Sequence, residues 1–122
     1  MINTVLTQFE IELGIRQELT HLSDLNAELI RVSRVSAEIE SAYKVAFAKA
    51  RLHARSQGKV NEATAEDMAT VATEKERTAN AVAQADLMAK REAIASVKAR
   101  LDALRTLSSS ARNTNFLASK KF

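Results

Sequence analysis

Almost nothing in this sequence stops a helix. Proline is absent from all 122 residues, and glycine stands only at positions 14 and 58. Proline removes a backbone donor and clashes with the preceding turn, and glycine raises the entropic cost of helix formation. A chain nearly free of both can run as helix for long stretches. Alanine, the best helix former, is prominent in the 46% hydrophobic content, whereas aromatics contribute only 4%. The expected fold class is therefore all-α, in one domain. Alanine seams let helices approach closely, yet each buries little area at about 25 cal/mol per Å². A lone pair of such helices is weakly held, so a homo-oligomer is expected.

The hydrophobic spacing places the helices. Ser23 is a good N-cap, with Asp24 in the first turn, where the helix dipole favours an acid. Leu25, Leu29, Val32, Val35, Ile39, Ala42, Ala46, Ala50 and His53 follow at spacings of three and four, and Ile30, Tyr43 and Phe47 widen the stripe. This predicts a first helix over about 23–57, closed by Gly58 in the left-handed position. Asn61 is the expected N-cap of a second helix, with Glu62, Glu66 and Asp67 in its first two turns.

Along that second helix Met68, Ala72, Lys75, Ala79, Val82 and Asp86 trace a poorly apolar stripe. Leu87, Ile94, Val97, Leu101 and Leu104 trace a better one, so the buried face is expected to change near residue 86. No helix breaker appears through Leu107, which predicts one helix over 61–107, about 68 Å long. With a turn at 58–60, residues 23–112 read as a long antiparallel helical hairpin. Assembly into an oligomeric helical bundle would cover its faces. No sustained leucine heptad marks a long parallel coiled coil.

The ends are less decided. Phe9, Ile11, Leu13 and Ile15 alternate with Glu10, Glu12, Gly14 and Arg16, which is strand periodicity. Ile2, Val5, Leu6, Phe9 and Leu13 fit a helical face equally well, so residues 1–22 stay open between helix and short strand. Ser108–Ser110 is a soft point. In the tail over 113–122, Phe116, Leu117 and Phe122 are candidates for docking on another chain.

Charge is unevenly spread. Residues 1–40 hold seven acids against three bases, a net of −4, and residues 41–122 hold fifteen bases against eight acids, a net of +7. Two basic sets stand out. The first is a cuff between Ser41 and Asn61, with Lys44, Lys49, Arg51, Arg55 and Lys59 and no acid. It reads as a phosphate-contacting surface, with Tyr43 or Phe47 as a stacking platform, or as a solvated helix end that complements the dipole. In the second, Arg91, Lys98, Arg105 and Arg112 recur every seven residues beside Lys90 and Arg100. A row of cations about 10 Å apart on one helix face suits a nucleic-acid backbone. Only Asp102 lies near that row, and the whole set could instead be a charged flank that pairs with Glu28, Glu38 and Glu40 of the first helix or of a partner subunit.

No catalytic constellation accompanies these charges. The serines lack a neighbouring His or acid in a nucleophile arrangement. His21 and His53 lack an i, i+4 partner of ligand type, and no Glu-x-x-His pattern is present. The isolated glycines make no phosphate-cradling loop, and without cysteine there is no disulfide or thiolate metal site. No enzyme activity, cofactor or metal is expected. Neither a signal peptide nor an apolar run of about 20 residues is present, so a soluble cytoplasmic protein without a membrane partner is expected.

Ala42-Tyr43-Lys44, then Ala46-Phe47-Ala48-Lys49-Ala50, and the late run Ile94-Ala95-Ser96-Val97 with Leu101-Asp102-Ala103-Leu104-Arg105-Thr106-Leu107-Ser108-Ser109-Ser110-Ala111-Arg112 carry a resemblance. Over about residues 25–112 the chain resembles small uncharacterised phage-encoded helical-hairpin proteins found beside recombination and replication genes. The resemblance implies an accessory role in phage DNA metabolism, in the cytoplasm of a bacterial host, and no catalytic residues. The expected function is a non-enzymatic protein that oligomerises and binds single- or double-stranded nucleic acid or a recombination or replication protein. The alternatives are a module that occupies a host factor and a structural assembly subunit.

Overall fold

The computed structural model describes residues 7–58 and 60–120, with the side chains of 7–58 and 60–113. Three α-helices and no strand are present among the described residues: α1 Gln8–Ser56, α2 Glu62–Ala72 and α3 Glu74–Lys120. Of the expected docking residues in the tail, the side chains of Phe116 and Leu117 and all of Phe122 lie outside the described set, as do Ile2, Val5 and Leu6.

Residues 8–22 are helix rather than strand, and α1 passes through Ser23 without a break. The start is a capping box. The Glu10 N–H donates to Thr7 Oγ1 at 3.1 Å, and the Thr7 N–H donates to Glu10 Oε2 at 3.2 Å. Two orphan donors of the first turn are thereby satisfied, and Ser23 is not needed as a cap. The alternation of residues 9–15 dissolves on the helix, where Ile11 is buried and Phe9 and Leu13 are exposed.

α1 ends at Ser56, and Gly58 follows with φ of +145°, a positive value but not that of a left-handed helix. Asn61 caps α2: the Thr64 N–H donates to Asn61 Oδ1 at 2.8 Å. The expected single helix from 61 is broken at Thr73. This buried residue turns its hydroxyl back onto the Ala69 carbonyl at 2.7 Å, and its own N–H donates to the same oxygen at 3.0 Å. Such back-bonding bends helices, and here φ of −110° and ψ of 24° end α2. α3 then continues through Ser108–Ser110 to Lys120.

The chain divides into two compact units. Unit 1 takes α1 up to Ala27 and α3 from Arg91, and unit 2 takes Glu28–Lys90. In unit 1, α1 and α3 run antiparallel. Gln8 Nε2 donates to Ser108 Oγ at 3.1 Å, Gly14 lies against Leu104, and the Arg100 guanidinium meets Glu18 at 3.0 Å. Ile11, Leu25, Ile94, Val97 and Leu101 form the buried apolar core of this unit.

Unit 2 is also antiparallel. Lys90 Nζ lies 2.8 Å from Glu28, and Gln84 Nε2 donates to Ser36 Oγ at 3.0 Å. Its buried residues are Val32, Ser36, Ala54, Ala65, Ala69, Thr73 and Ala83. The hydrogen bond and charge of Glu28 hold the Lys90 ammonium above the ordinary lysine pKa. The pair therefore persists below the usual lysine range and is lost only as pH rises through the raised value.

Buried and half-buried positions on α3 step by three and four: Ala83, Leu87, Lys90, Ile94, Val97, Leu101, Leu104, Ser108 and Ala111. This is a heptad stripe whose polar members hide it from a search for leucines. The expected stripe of Met68, Ala72, Lys75, Ala79, Val82 and Asp86 is the exposed face instead, and no change of face occurs near residue 86. On α1, Val35, Ala42 and His53 are likewise exposed, while Ser36 is buried and Tyr43 half-buried.

Gly14 offers a test of unit 1. A Cβ built there would meet Leu104 Cδ1 at 3.4 Å, ordinary van der Waals contact. Gly14→Ala should therefore gain helix propensity without a clash and stabilise the fold by up to about 1 kcal/mol. Thermal melting followed by circular dichroism reads the shift. A lower melting temperature would show that α1 and α3 approach more closely there.

Candidate nucleic-acid interface

The expected contact residues fall in both units. The cuff belongs to unit 2 and the seven-residue row to unit 1. Within the cuff, Arg51 and Arg55 converge on one carboxylate. Arg51 Nη2 pairs with Glu62 Oε2, and Arg55 Nη1 lies 2.7 Å from Glu62 Oε1. The last turns of α1 are thus pinned to the first residue of α2. Lys44 lies 3.2 Å from Glu40, one turn back on α1. Lys49 is exposed at the rim of a shallow trough along α1, and Lys59 lies outside the described residues. Tyr43 and Phe47 are half-buried and pack edge to face, with ring centroids 6.2 Å apart.

This geometry makes much of the cuff a clasp around the α1–α2 turn. Exposed ion pairs contribute little, so Glu62→Gln should cost less than about 1 kcal/mol. It should also leave oligonucleotide affinity unchanged. A gain in affinity, read by anisotropy, would show that the freed guanidiniums reach phosphate.

The row behaves differently. Arg91, Lys98, Arg105 and Arg112 are all exposed. Each follows directly after an inward position of α3, namely Lys90, Val97, Leu104 or Ala111, so all four flank the seam on one side. The acids of α1 that pair with α3 take other cations: Glu18 takes Arg100 and Glu28 takes Lys90. Glu40 is used within α1. Arg112 donates from Nη2 to Ser108 Oγ at 3.0 Å, which holds its stem along the helix. Among the described residues none of the four row cations makes an ion pair. The Lys90–Glu28 pair is one that the flank-pairing alternative names, whereas Glu18 as the partner of Arg100 depends on the register between α1 and α3.

Among the described residues, no three His, Cys, Asp or Glu side chains gather to hold a metal ion. Among the same residues, no helix is long and apolar enough to cross a membrane. Comparisons with family models, curated proteins and solved structures find no match to the chain.

Proposed function

We propose that the chain is a non-enzymatic accessory protein that binds nucleic acid along the α3 face of unit 1. The observation that supports this reading most is the exposed row Arg91, Lys98, Arg105 and Arg112, none of which makes an ion pair among the described residues. Steps of seven residues put successive cations about 10 Å apart along a rigid helix. Such a row meets phosphates without reading bases, so binding should be strong in charge and weak in sequence preference. Phage recombination or replication is the setting that the resemblance implies for it.

Fluorescence anisotropy with labelled single- and double-stranded oligonucleotides tests the reading. Four phosphate contacts give a salt slope of about −2.8 to −3.6, so affinity should fall roughly 50- to 150-fold between about 50 and 200 mM salt. Absence of binding at about 50 mM would end it. The competing reading, a protein-binding module, draws on exposed Phe9, Leu13, Leu19 and Leu107 in the same unit. An apolar helix-in-groove contact would change little with salt.

A further inference from the structure

Unit 2 leaves most of its bulky apolar side chains uncovered. Its buried apolar residues are Val32 and four alanines, while eight larger apolar side chains, Val82 and Val35 among them, are exposed. Burial of alanine contributes little, and an apolar surface of this kind marks an interaction site. On α3 the uncovered face runs through Lys75, Ala79, Val82 and Asp86, at steps of four, three and four. Val82, which is 65% exposed, stands beside an open groove of about 720 Å³ whose lining includes Val35, Ile39 and Ala79.

The order of these four residues is the informative part. When the face is laid antiparallel on itself, Ala79 opposes Val82 and Lys75 opposes Asp86, and the same two oppositions recur across the axis. Small meets large in the middle, and cation meets anion at both ends. Lys75 and Asp86 are eleven residues apart on one helix, about 16 Å, too far to pair within a chain. A parallel arrangement would set Lys75 against Lys75. Only a second copy supplies the same four residues in reverse order.

We propose that unit 2 dimerises through α3, packed antiparallel against α3 of a second copy about a two-fold axis between Ala79 and Val82. Val82 of each chain fills the space above Ala79 of the other, and Lys75 of each faces Asp86 of the other. Such an interface is isologous and closes at two chains. It does not depend on the nucleic-acid reading, since none of the four residues lies in the basic row.

Sedimentation of the full chain tests it. Wild type should sediment at twice 13.4 kDa. Lys75→Asp alone, or Asp86→Lys alone, opposes like charges at both ends and should weaken the dimer roughly a hundredfold. Lys75→Asp combined with Asp86→Lys restores the opposition and should restore the dimer. So should an equimolar mixture of the two single variants, in which each chain supplies what the other lacks. That mixture keeps the test sharp even where a single variant loses helicity. A wild-type chain that stays single would overturn the proposal and leave the groove to a different protein. A dimer indifferent to both single variants, or unrestored by the mixture, would overturn this face as the interface.

Discussion

Lys98→Glu combined with Arg105→Glu should abolish most oligonucleotide binding at about 50 mM salt. The pair occupies the middle of the row and is exposed, with no ion pair among the described residues. Each lost charge-assisted contact is worth about 1.5–3 kcal/mol. Two losses amount to a hundredfold or more, and the introduced carboxylates repel phosphate in addition. The residual salt slope should drop by roughly half, because two of four contacts remain. Folding should be unaffected, since neither side chain is buried or paired, and circular dichroism checks this. Unchanged affinity and unchanged salt dependence in a folded variant would remove the row from the contact surface. Loss of affinity with the slope intact would mean that the phosphates are met elsewhere.

Leu101→Ala should be the most damaging single truncation in unit 1. Leu101 is 2% exposed and sits between Val97, which is fully buried, and the half-buried Leu104 on the inward stripe of α3. Removing its three outer carbons loses transfer free energy and leaves a cavity that two long helices cannot easily close. The cost is about 3 kcal/mol, roughly 10–20 °C in melting temperature for a unit of this size. Leu107→Ala is the control: the same residue type on the same helix, 47% exposed. It should stay within about 0.5 kcal/mol of wild type. Equal losses at both positions would show that the inward stripe is drawn on the wrong face.

How far the sequence could be read differs from one element to the next. Thr7-x-x-Glu10 is a complete capping box, and it outranks the strand-like alternation of residues 9–15 because it satisfies backbone donors that the alternation leaves open. Asn61 was legible for the same local reason. The break at Thr73 was not, since a threonine hydroxyl back-bonds in many unbroken helices and only here does it end one. The stripe expected over 68–86 is the exposed face of that stretch. The buried side over 62–86 is Ala65, Ala69, Thr73 and Ala83, which carries no more hydrophobicity than the exposed side with Met68 and Val82.

The same division holds for the candidate site. That Arg91, Lys98, Arg105 and Arg112 share a face follows from seven-residue spacing alone, because the helix repeat is a property of the backbone. That none of these four makes an ion pair among the described residues, while Arg51 and Arg55 pair with Glu62, depends on distances between elements. The absence of proline, the scarcity of glycine and the richness in alanine were enough to determine an all-helical chain with long uninterrupted segments. Tertiary structure decided which stripe faces inward, where the second helix bends and which acids neutralise which cations. Helix formation is written in neighbouring residues. The register of one weakly apolar helix on another is set by small differences in packing, and no single chain segment contains them.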